Sequence, residues 1–203
     1  MDWRLFMSDV RTIEDLERAV RALAVHFKTD TVVIVGSQSV LLDWPDAPIL
    51  MRTSGEIDAY PGNNRHWEAK NPGELASEEI NALFGYGSHF HTTHGFYIDG
   101  VDENSARLPA DWQSRCVSLE VEAYGKRVRA IAPAPEDMVA SKLARLVEKD
   151  RAYIIARHQA RPLNFPDVRE RFRAANPPEE VLVAGLSFLD SLETPSSSSD
   201  FSV

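Results

Sequence analysis

Two acidic residues separated by a single position, Glu56 and Asp58, occur in the stretch "SGEIDAYP". Alternate residues of a β-strand project from the same face, so both carboxylates would lie on one side of a sheet, roughly 7 Å apart. Such carboxylates repel each other unless a cation joins them, and Mg²⁺ binds one or two carboxylates together with substrate phosphates and waters. The spacing therefore predicts a divalent-cation site, and the alternative interpretation is a solvated acidic strand.

A glycine and a serine precede this acidic pair at the end of another predicted strand. The run "TVVIVG" is rich in β-branched residues and lacks polar alternation, which is typical of a strand covered on both faces. Gly36 and Ser37 then begin a short helical segment that ends at "PDAP". Backbone N–H groups and a hydroxyl at such a turn can hold a phosphate.

Further strands and helices must position these groups. Apolar residues at helical spacing predict a helix over 12–28 with Thr12 as its N-cap, and "GELASEEINALFG" predicts another within 68–85. The stretch "ILMRTSGEIDAYP" predicts a strand, and "HFHTTHGFYIDGV" predicts a hairpin or strand pair. "CVSLEVEAY" and "GKRVRAIAP" predict a hairpin that turns at Gly125.

The C-terminal third of the chain has a helical pattern. One long helix is predicted over 135–159, followed by helices in "NFPDVRERFRAAN" and "PPEEVLVAGLSFLDSL". The order of elements predicts a mixed α/β fold of the α+β kind. We expect an α/β domain at 1–133, a helical part at 134–192 and a disordered tail at 193–203.

Composition narrows the class of protein. The chain has 203 residues, a formal net charge of −9 and a single cysteine, Cys116, which excludes an internal disulfide framework. A secretory signal pattern and a membrane-length apolar run are both missing from the sequence, so we expect a cytoplasmic protein with no membrane partner. The negative charge repels phosphate backbones, so an anionic partner must meet a local basic patch.

The glycine–serine turn followed by acidic-x-acidic resembles the polymerase-beta-type nucleotidyltransferase fold. The stretches "VGSQSVL", "PDAP", "SGEIDAYP", "FHTTHGFYIDGV", "LPADWQSR" and "PEDMVASKLARLVEKDRAYI" are similar to a bacterial nucleotidyltransferase-like family of unknown function. More distantly, the pattern D-x-x-x-S-K-L followed by K-D resembles the AbiEii-type nucleotidyltransferase toxins. The matching positions here are Asp137, Ser141, Lys142, Lys149 and Asp150.

The resemblance implies a third carboxylate on a later strand. Glu120 and Glu122 share one face of the strand predicted in "CVSLEVEAY", and Glu120 is our choice because it lies nearer the middle of the alternating run. An exposed acidic strand edge is the alternative for each of them. The metal set expected from the sequence is therefore Glu56, Asp58 and Glu120.

A basic stripe is predicted on the long helix. Lys142, Arg145 and Lys149 fall at i, i+3 and i+7, and the resemblance implies that this helix lies beside the carboxylates. The stripe would provide the local basic patch for a triphosphate. The alternative is a solvated face whose cations pair with Glu148 and Asp150.

The activity implied by the resemblance is transfer of a nucleoside monophosphate from a nucleoside triphosphate. Glu56, Asp58 and Glu120 would bind Mg²⁺, or Mn²⁺ in its place, Gly36 and Ser37 would hold the pyrophosphate, and Lys142, Arg145 and Lys149 would neutralise phosphate charge. The acceptor would be an RNA 3′ end, a protein hydroxyl or a small molecule. The AbiEii-type resemblance adds a toxin role with an antitoxin partner, and the alternative is a degenerate domain that binds a nucleotide or a protein without transfer.

Other residues suggest weaker hypotheses. "HFHTTH" places three histidines close together but brings neither a cysteine nor a fourth ligand, so zinc is disfavoured. Tyr60, Trp67 and Trp112 are candidates for stacking on a base, with a place in the core or at its rim as the commoner alternative. Cys116 is expected to be a buried, inert thiol.

Overall fold

The strands form one mixed sheet in a computed structural model that describes residues 9–193. They are β1 (Thr31–Ile34), β2 (Glu56–Pro61), β3 (Tyr97–Gly100), β4 (Val117–Ala123) and β5 (Lys126–Ala132). Their order across the sheet is β3-β2-β1-β5-β4. β1 pairs with β2 antiparallel and with β5 parallel, whereas β2 and β3 are parallel and β4 and β5 form an antiparallel hairpin.

Ten α-helices accompany this sheet within residues 9–193. In chain order they are α1 (Ile13–Phe27), α2 (Val40–Asp43), α3 (Ile49–Arg52), α4 (Asn64–Lys70), α5 (Ala76–Phe84), α6 (His89–His94), α7 (Pro135–Arg145), α8 (Glu148–Ala160), α9 (Phe165–Ala174) and α10 (Glu179–Glu193). Short 3₁₀ turns lie at Ser37–Ser39 and Trp112–Arg115. The mixed α/β fold expected from the sequence is therefore confirmed.

Helix α1 covers one face of the sheet. A capping box begins it, because the Asp15 N–H donates to Thr12 Oγ1 at 3.3 Å and the Thr12 N–H donates to Asp15 Oδ2 at 3.2 Å. Its apolar stripe, including Leu16, Leu23 and Phe27, is buried against the sheet. Burial of this stripe removes the α1 face of the sheet from water and leaves the opposite face for other elements.

The opposite face is covered in part by α7. Val33 and Val35 of the first strand region, Tyr60 of β2 and Met138 of α7 belong to one buried cluster. A separate cluster, formed by the remaining apolar residues of α7 with α8, α9 and α10, is the core of the helical part. Alternation along β2 places Glu56 and Asp58 on the same face as Tyr60, which is the face that α7 covers.

Several predicted elements differ from the structure. "HFHTTH" forms helix α6 rather than a strand, because Ser88 Oγ accepts from the His91 N–H at 3.1 Å and Gly95, with φ +75°, ends the helix. "ILMR" forms α3 after Pro48, so the strand begins only at Glu56. The helix predicted by "GELASEEINALFG" within 68–85, in contrast, is present as α5, which ends next to Gly85.

The long helix predicted over 135–159 is two helices. Leu146 adopts a left-handed conformation with φ +48°, and its N–H donates to the Lys142 carbonyl at 2.8 Å, which ends α7. Helix α8 then starts at Glu148 in a new direction. The predicted tail at 193–203 lies outside the described residues, apart from Glu193 at the end of α10.

Among residues 9–193, no helix combines the length and apolar character needed to cross a bilayer.

Candidate active site

Three carboxylates lie together where β2 and β3 run side by side. The parallel register pairs Glu56 with Tyr97 and Asp58 with Asp99, so Asp99 projects beside Asp58 from the same face. Glu56, Asp58 and Asp99 all line a cavity of about 420 Å³. The pair expected from the sequence is therefore joined by a third acid from the edge strand.

The turn after β1 packs directly on this acidic cluster. Gly36 has φ +66°, and a Cβ atom there would lie 1.9 Å from Asp58 Oδ2. The Val35 N–H donates to the Asp58 carbonyl at 3.0 Å, which fixes the two segments together. Glycine is required at this position both by the positive φ and by the close approach of the carboxylate. Gly36 and Ser37 both line the cavity.

The nearby lysines only partly neutralise the negative charge of these three carboxylates. Burial, together with the neighbouring charges of Glu56 and Asp99, raises the pKa of Asp58 to about 6, although Lys149 and Lys142 partly oppose the shift. Burial and Glu56 likewise raise the pKa of Asp99. Acids that repel one another in this way are stabilised by a cation, and carboxylate oxygens are the ligands that Mg²⁺ and Mn²⁺ prefer.

The donor set fits a cation that shares its ligands with a substrate. Within residues 9–193, no group of three or more His, Cys, Asp or Glu side chains is arranged to hold a metal ion. Mg²⁺ commonly completes its shell with waters and phosphate oxygens instead of an all-protein cage. The three carboxylates would then supply part of the shell and leave the remainder to the ligand.

A tyrosine orients the first acid of the pair. Tyr97 Oη donates to Glu56 Oε2 at 2.5 Å, and this hydrogen bond, with burial and the nearby acids, raises the pKa of the phenol. The bond fixes one carboxylate oxygen of Glu56 on the β3 side. Tyr97 was not singled out from the sequence, because the stretch that contains it was interpreted as a hairpin or strand pair.

Lys142 lies under the turn rather than on an exposed stripe. Its side chain is almost fully buried, and its Nζ donates to Ser37 Oγ at 3.2 Å and to Asp150 Oδ1 at 3.4 Å. The ammonium also lies 4.3 Å from the centre of the Tyr153 ring. Burial lowers its pKa, an effect that Asp150 opposes. Lys142 therefore connects the turn at Gly36 and Ser37 to helix α8.

Arg145 and Lys149 reach the same cavity from two different helices. Arg145 donates to both oxygens of Asp150, at 2.7 and 2.8 Å, and although burial raises the pKa of Asp150, Arg145 and Lys142 hold it below its ordinary value. Lys149 is exposed and lines the cavity from the first turn of α8. The two residues line the cavity from either side of the break at Leu146, in place of the single helical stripe predicted from the sequence.

Arg107 is a fourth cation on the cavity wall, and the sequence analysis missed it. It lies in the long connection between β3 and β4, and its Nη1 donates to the Asn176 carbonyl at 2.9 Å. This bond attaches the connection to the turn after α9. No motif marks Arg107 in the sequence, because its role depends on where the connection folds.

Glu120 does not belong to the carboxylate cluster. Its strand, β4, lies three positions from β2 in the sheet, which separates the residues by at least about 14 Å. The Glu120 side chain is 64% exposed and pairs with Arg127 at 3.1 Å. Glu122 is exposed on the same outer strand. Asp99 therefore takes the place that the sequence analysis gave to Glu120.

Asp137, the first residue of the motif shared with the AbiEii-type toxins, is also outside the cavity. It is fully buried and accepts two hydrogen bonds from Arg115, at 2.9 and 2.8 Å, which attach α7 to the 3₁₀ turn before β4. Ser141, the next residue of the motif, does line the cavity. The motif therefore combines a structural acid with residues of the site.

One comparison with known proteins identifies the family of the chain. A family model described as "Nucleotidyltransferase of unknown function (DUF6036)" matches residues 11–183. The chain belongs to this family, and the match includes all three carboxylates and the basic residues of the cavity. A search of curated proteins and a search of solved structures each found no match. The nucleotidyltransferase-like resemblance is thus confirmed, whereas the AbiEii-type resemblance stays a prediction.

Proposed function

We propose that this protein is a divalent-cation-dependent nucleotidyltransferase that moves a nucleoside monophosphate from a nucleoside triphosphate to an acceptor hydroxyl. One observation supports it most: a single cavity has three carboxylates on its strand side and Ser37, Arg145 and Lys149 on its helix side. A metal-bound triphosphate carries positive charge at the metal and negative charge at its outer phosphates. The carboxylates on the strand side are complementary to the metal, and the cations on the helix side are complementary to the phosphates.

The acidic wall would hold the cation. Glu56, Asp58 and Asp99 would bind Mg²⁺ or Mn²⁺, and the cation would supply neutralisation of phosphate charge as the α-phosphorus is attacked. Tyr97 keeps the Glu56 carboxylate oriented for this task. Glu120, proposed for the same role from the sequence, lies too far away to contribute.

The chemical step needs a nucleophile, a leaving group and a proton acceptor. The acceptor oxygen forms a bond to the α-phosphorus, while the bond from that phosphorus to the bridging oxygen breaks and its electron pair leaves with pyrophosphate. The hydroxyl proton passes to the Asp99 carboxylate, which lines the same cavity. Ser37 and Lys149 bind the departing pyrophosphate, and Lys142 holds Ser37 in place.

The acceptor is an RNA 3′ end, a protein hydroxyl or a small molecule. The net charge of −9 works against a long RNA surface, because phosphates outside the local basic wall would be repelled. A short RNA end, a protein side chain or a metabolite fits this charge better. We assign no particular base to the nucleoside triphosphate, because the residues that line the cavity would bind phosphate rather than a base.

Binding without transfer is the second candidate function. Three hydrogen bonds favour it: Tyr97 donates one to an oxygen of Glu56, and Lys142 donates two, to Ser37 and to Asp150. A site fixed in this way would hold a nucleotide and release it unchanged. The protein would then act through the nucleotide-bound state, for example by binding a partner protein.

A labelling experiment distinguishes the two functions. The protein is incubated with Mg²⁺ and each nucleoside triphosphate carrying label on the α- or the γ-phosphate, together with total RNA, protein or small-molecule acceptors. Transfer predicts that label from the α-phosphate enters an acceptor and that label from the γ-phosphate does not. Asp99→Asn should abolish transfer, whereas the matched control Glu120→Gln should retain it. Binding of the triphosphate with no labelled product would favour the second function.

A toxin role is a further proposal, supported only by the AbiEii-type resemblance. It predicts that induced expression stops bacterial growth and that Asp99→Asn relieves the arrest. An antitoxin partner would be expected to restore growth when expressed together with the wild-type chain. Normal growth on full expression of an active enzyme would reject this role while leaving the nucleotidyltransferase proposal unaffected.

A further inference from the structure

The carboxylate cavity offers phosphate and metal contacts but no ring for a base. Among the described residues that line it, none is aromatic. The three aromatic residues suggested by the sequence are unsuited as well, because Tyr60 and Trp112 are only 6% and 8% exposed and Trp67 packs on Phe27 with ring centres 5.2 Å apart. A base that stacks on an aromatic ring must therefore do so outside the cavity lining.

An aromatic group with exposed surface adjoins the cavity. Tyr86, His91 and Tyr97 contact one another, with ring centres 4.9 Å apart for Tyr86 and His91, 5.6 Å for Tyr86 and Tyr97, and 5.4 Å for His91 and Tyr97. Tyr86 is 81% exposed, although the other two rings support it from below. We call these three residues the aromatic platform.

The platform is connected to the metal-binding acids by one hydrogen bond. Tyr97 Oη donates to Glu56 Oε2, and the β2–β3 register places Tyr97 and Asp99 on the cavity face of the sheet. The platform is therefore one side chain away from the cavity. Its position is also fixed, because the Gly87 N–H donates to His91 Nδ1 at 3.0 Å and ties the loop of Tyr86 to helix α6.

We propose that the aromatic platform binds the base of the nucleoside triphosphate, with the base stacked on the exposed ring of Tyr86 while the phosphates occupy the cavity. This inference rests on the proposed function and adds to it where the nucleoside binds. Stacking on a ring tolerates any base, since every base has a flat π-face. The platform therefore predicts affinity for the nucleoside part without strong selection among the four bases.

A second exposed tyrosine provides a matched control. Tyr124 is 87% exposed and lies in the turn between β4 and β5, at the opposite edge of the sheet from Tyr86. Replacing either tyrosine by alanine removes a similar exposed ring. Only the change at Tyr86 alters the aromatic platform.

The test compares a nucleotide with a ligand that lacks a base. Calorimetric titrations use Mg²⁺ with ATP and Mg²⁺ with inorganic triphosphate, and the proteins are the wild type, Tyr86→Ala, Tyr86→Phe and Tyr124→Ala. Loss of one stacking contact should weaken ATP binding at least about fivefold in Tyr86→Ala and leave inorganic triphosphate unchanged. Tyr86→Phe and Tyr124→Ala should both bind ATP as the wild type does.

Contrary results separate this inference from the proposed function. Equal ATP affinity in Tyr86→Ala and the wild type would overturn the platform, and so would equal weakening of ATP and inorganic triphosphate. The proposed function would survive either result if Asp99→Asn still lost both ligands. Failure of the wild type to bind ATP would overturn the proposed function and the platform together.

Discussion

Replacing Asp58 by asparagine should stabilise the protein at neutral pH while removing a metal ligand. The pKa of Asp58 rises from 3.8 to about 6 on folding, because of burial and the neighbouring acids. The folded chain thus binds more protons than the unfolded chain between those values, and the free energy of unfolding falls as pH rises through that interval. A shift of about 2 units at 1.36 kcal/mol each gives about 3 kcal/mol at pH 7.5, an upper value because water reaches the cavity.

The asparagine variant removes this unfavourable charge. Without divalent cations, Asp58→Asn should unfold with a free energy about 2 to 3 kcal/mol higher than the wild type at pH 7.5, a rise in Tm of about 5 to 10 °C. The advantage should shrink to about 1 kcal/mol at pH 4.5, where the folded protein holds the Asp58 carboxyl protonated. Mg²⁺ with a nucleotide should stabilise the wild type more than the variant.

Urea denaturation at pH 7.5 and pH 4.5 measures both quantities. Glu122→Gln is the control, because it removes an exposed carboxylate of β4 and should change stability by less than about 0.5 kcal/mol. An asparagine variant no more stable than the wild type at pH 7.5 would refute the reasoning. An advantage that stayed constant down to pH 4.5 would show that it does not come from the charge.

Two other substitutions test the basic side of the cavity and the turn after β1. Lys149→Ala should weaken binding of Mg²⁺–nucleoside triphosphate about tenfold or more in calorimetry, because it removes a charged contact with phosphate, whereas Lys70→Ala, which removes an exposed lysine from another helix, should leave affinity unchanged. Equal loss in the two variants would indicate a general charge effect. Gly36→Ala should destabilise the protein more than Gly125→Ala in thermal unfolding, since both have positive φ but only the first places a Cβ against Asp58. Equal losses of stability in the two variants would show that the protein accommodates a Cβ at position 36 beside Asp58 without an energetic cost.

The sequence predicted the parts of the fold that local patterns determine. Short-range residue patterns predicted the N-cap of α1 at Thr12, the buried first strand and the β4–β5 hairpin, and each is present in the structure. Glu56 and Asp58 lie on one face because alternation along a strand is also local. Gly36 was expected for its turn, but its contact with Asp58 became visible only in the structure.

The third carboxylate could not be chosen from local patterns. Glu120 stands in a clear alternating strand, whereas Asp99 lies in a four-residue strand that follows a helix of three histidines. Which strand neighbours β2 depends on long-range pairing that alternation does not encode. The alternation in "YIDG", which places Tyr97 and Asp99 on one face, could have indicated Asp99 as the third carboxylate. It was not used, because the stretch was interpreted as a hairpin or strand pair.

The sequence identified basic residues that line the cavity, Lys142, Arg145 and Lys149, but not their arrangement. A continuous helix would have placed Lys142 on an exposed stripe, yet the helix ends at Leu146 and Lys142 is buried beneath Ser37. A left-handed leucine is an unfavourable conformation that residue propensity does not predict. Asp150 of α8 pairs with both Lys142 and Arg145 of α7, and these two ion pairs join the helices across the break.

The central claim is that Glu56, Asp58 and Asp99 bind one divalent cation together with a triphosphate. Crystals grown with Mn²⁺ and a non-hydrolysable nucleoside triphosphate test it directly by anomalous scattering. We expect a peak among the three carboxylates, within about 2.0 to 2.3 Å of oxygens from the protein and from the phosphates. A bound nucleotide with no peak there, or a peak at Glu120 instead, would contradict it.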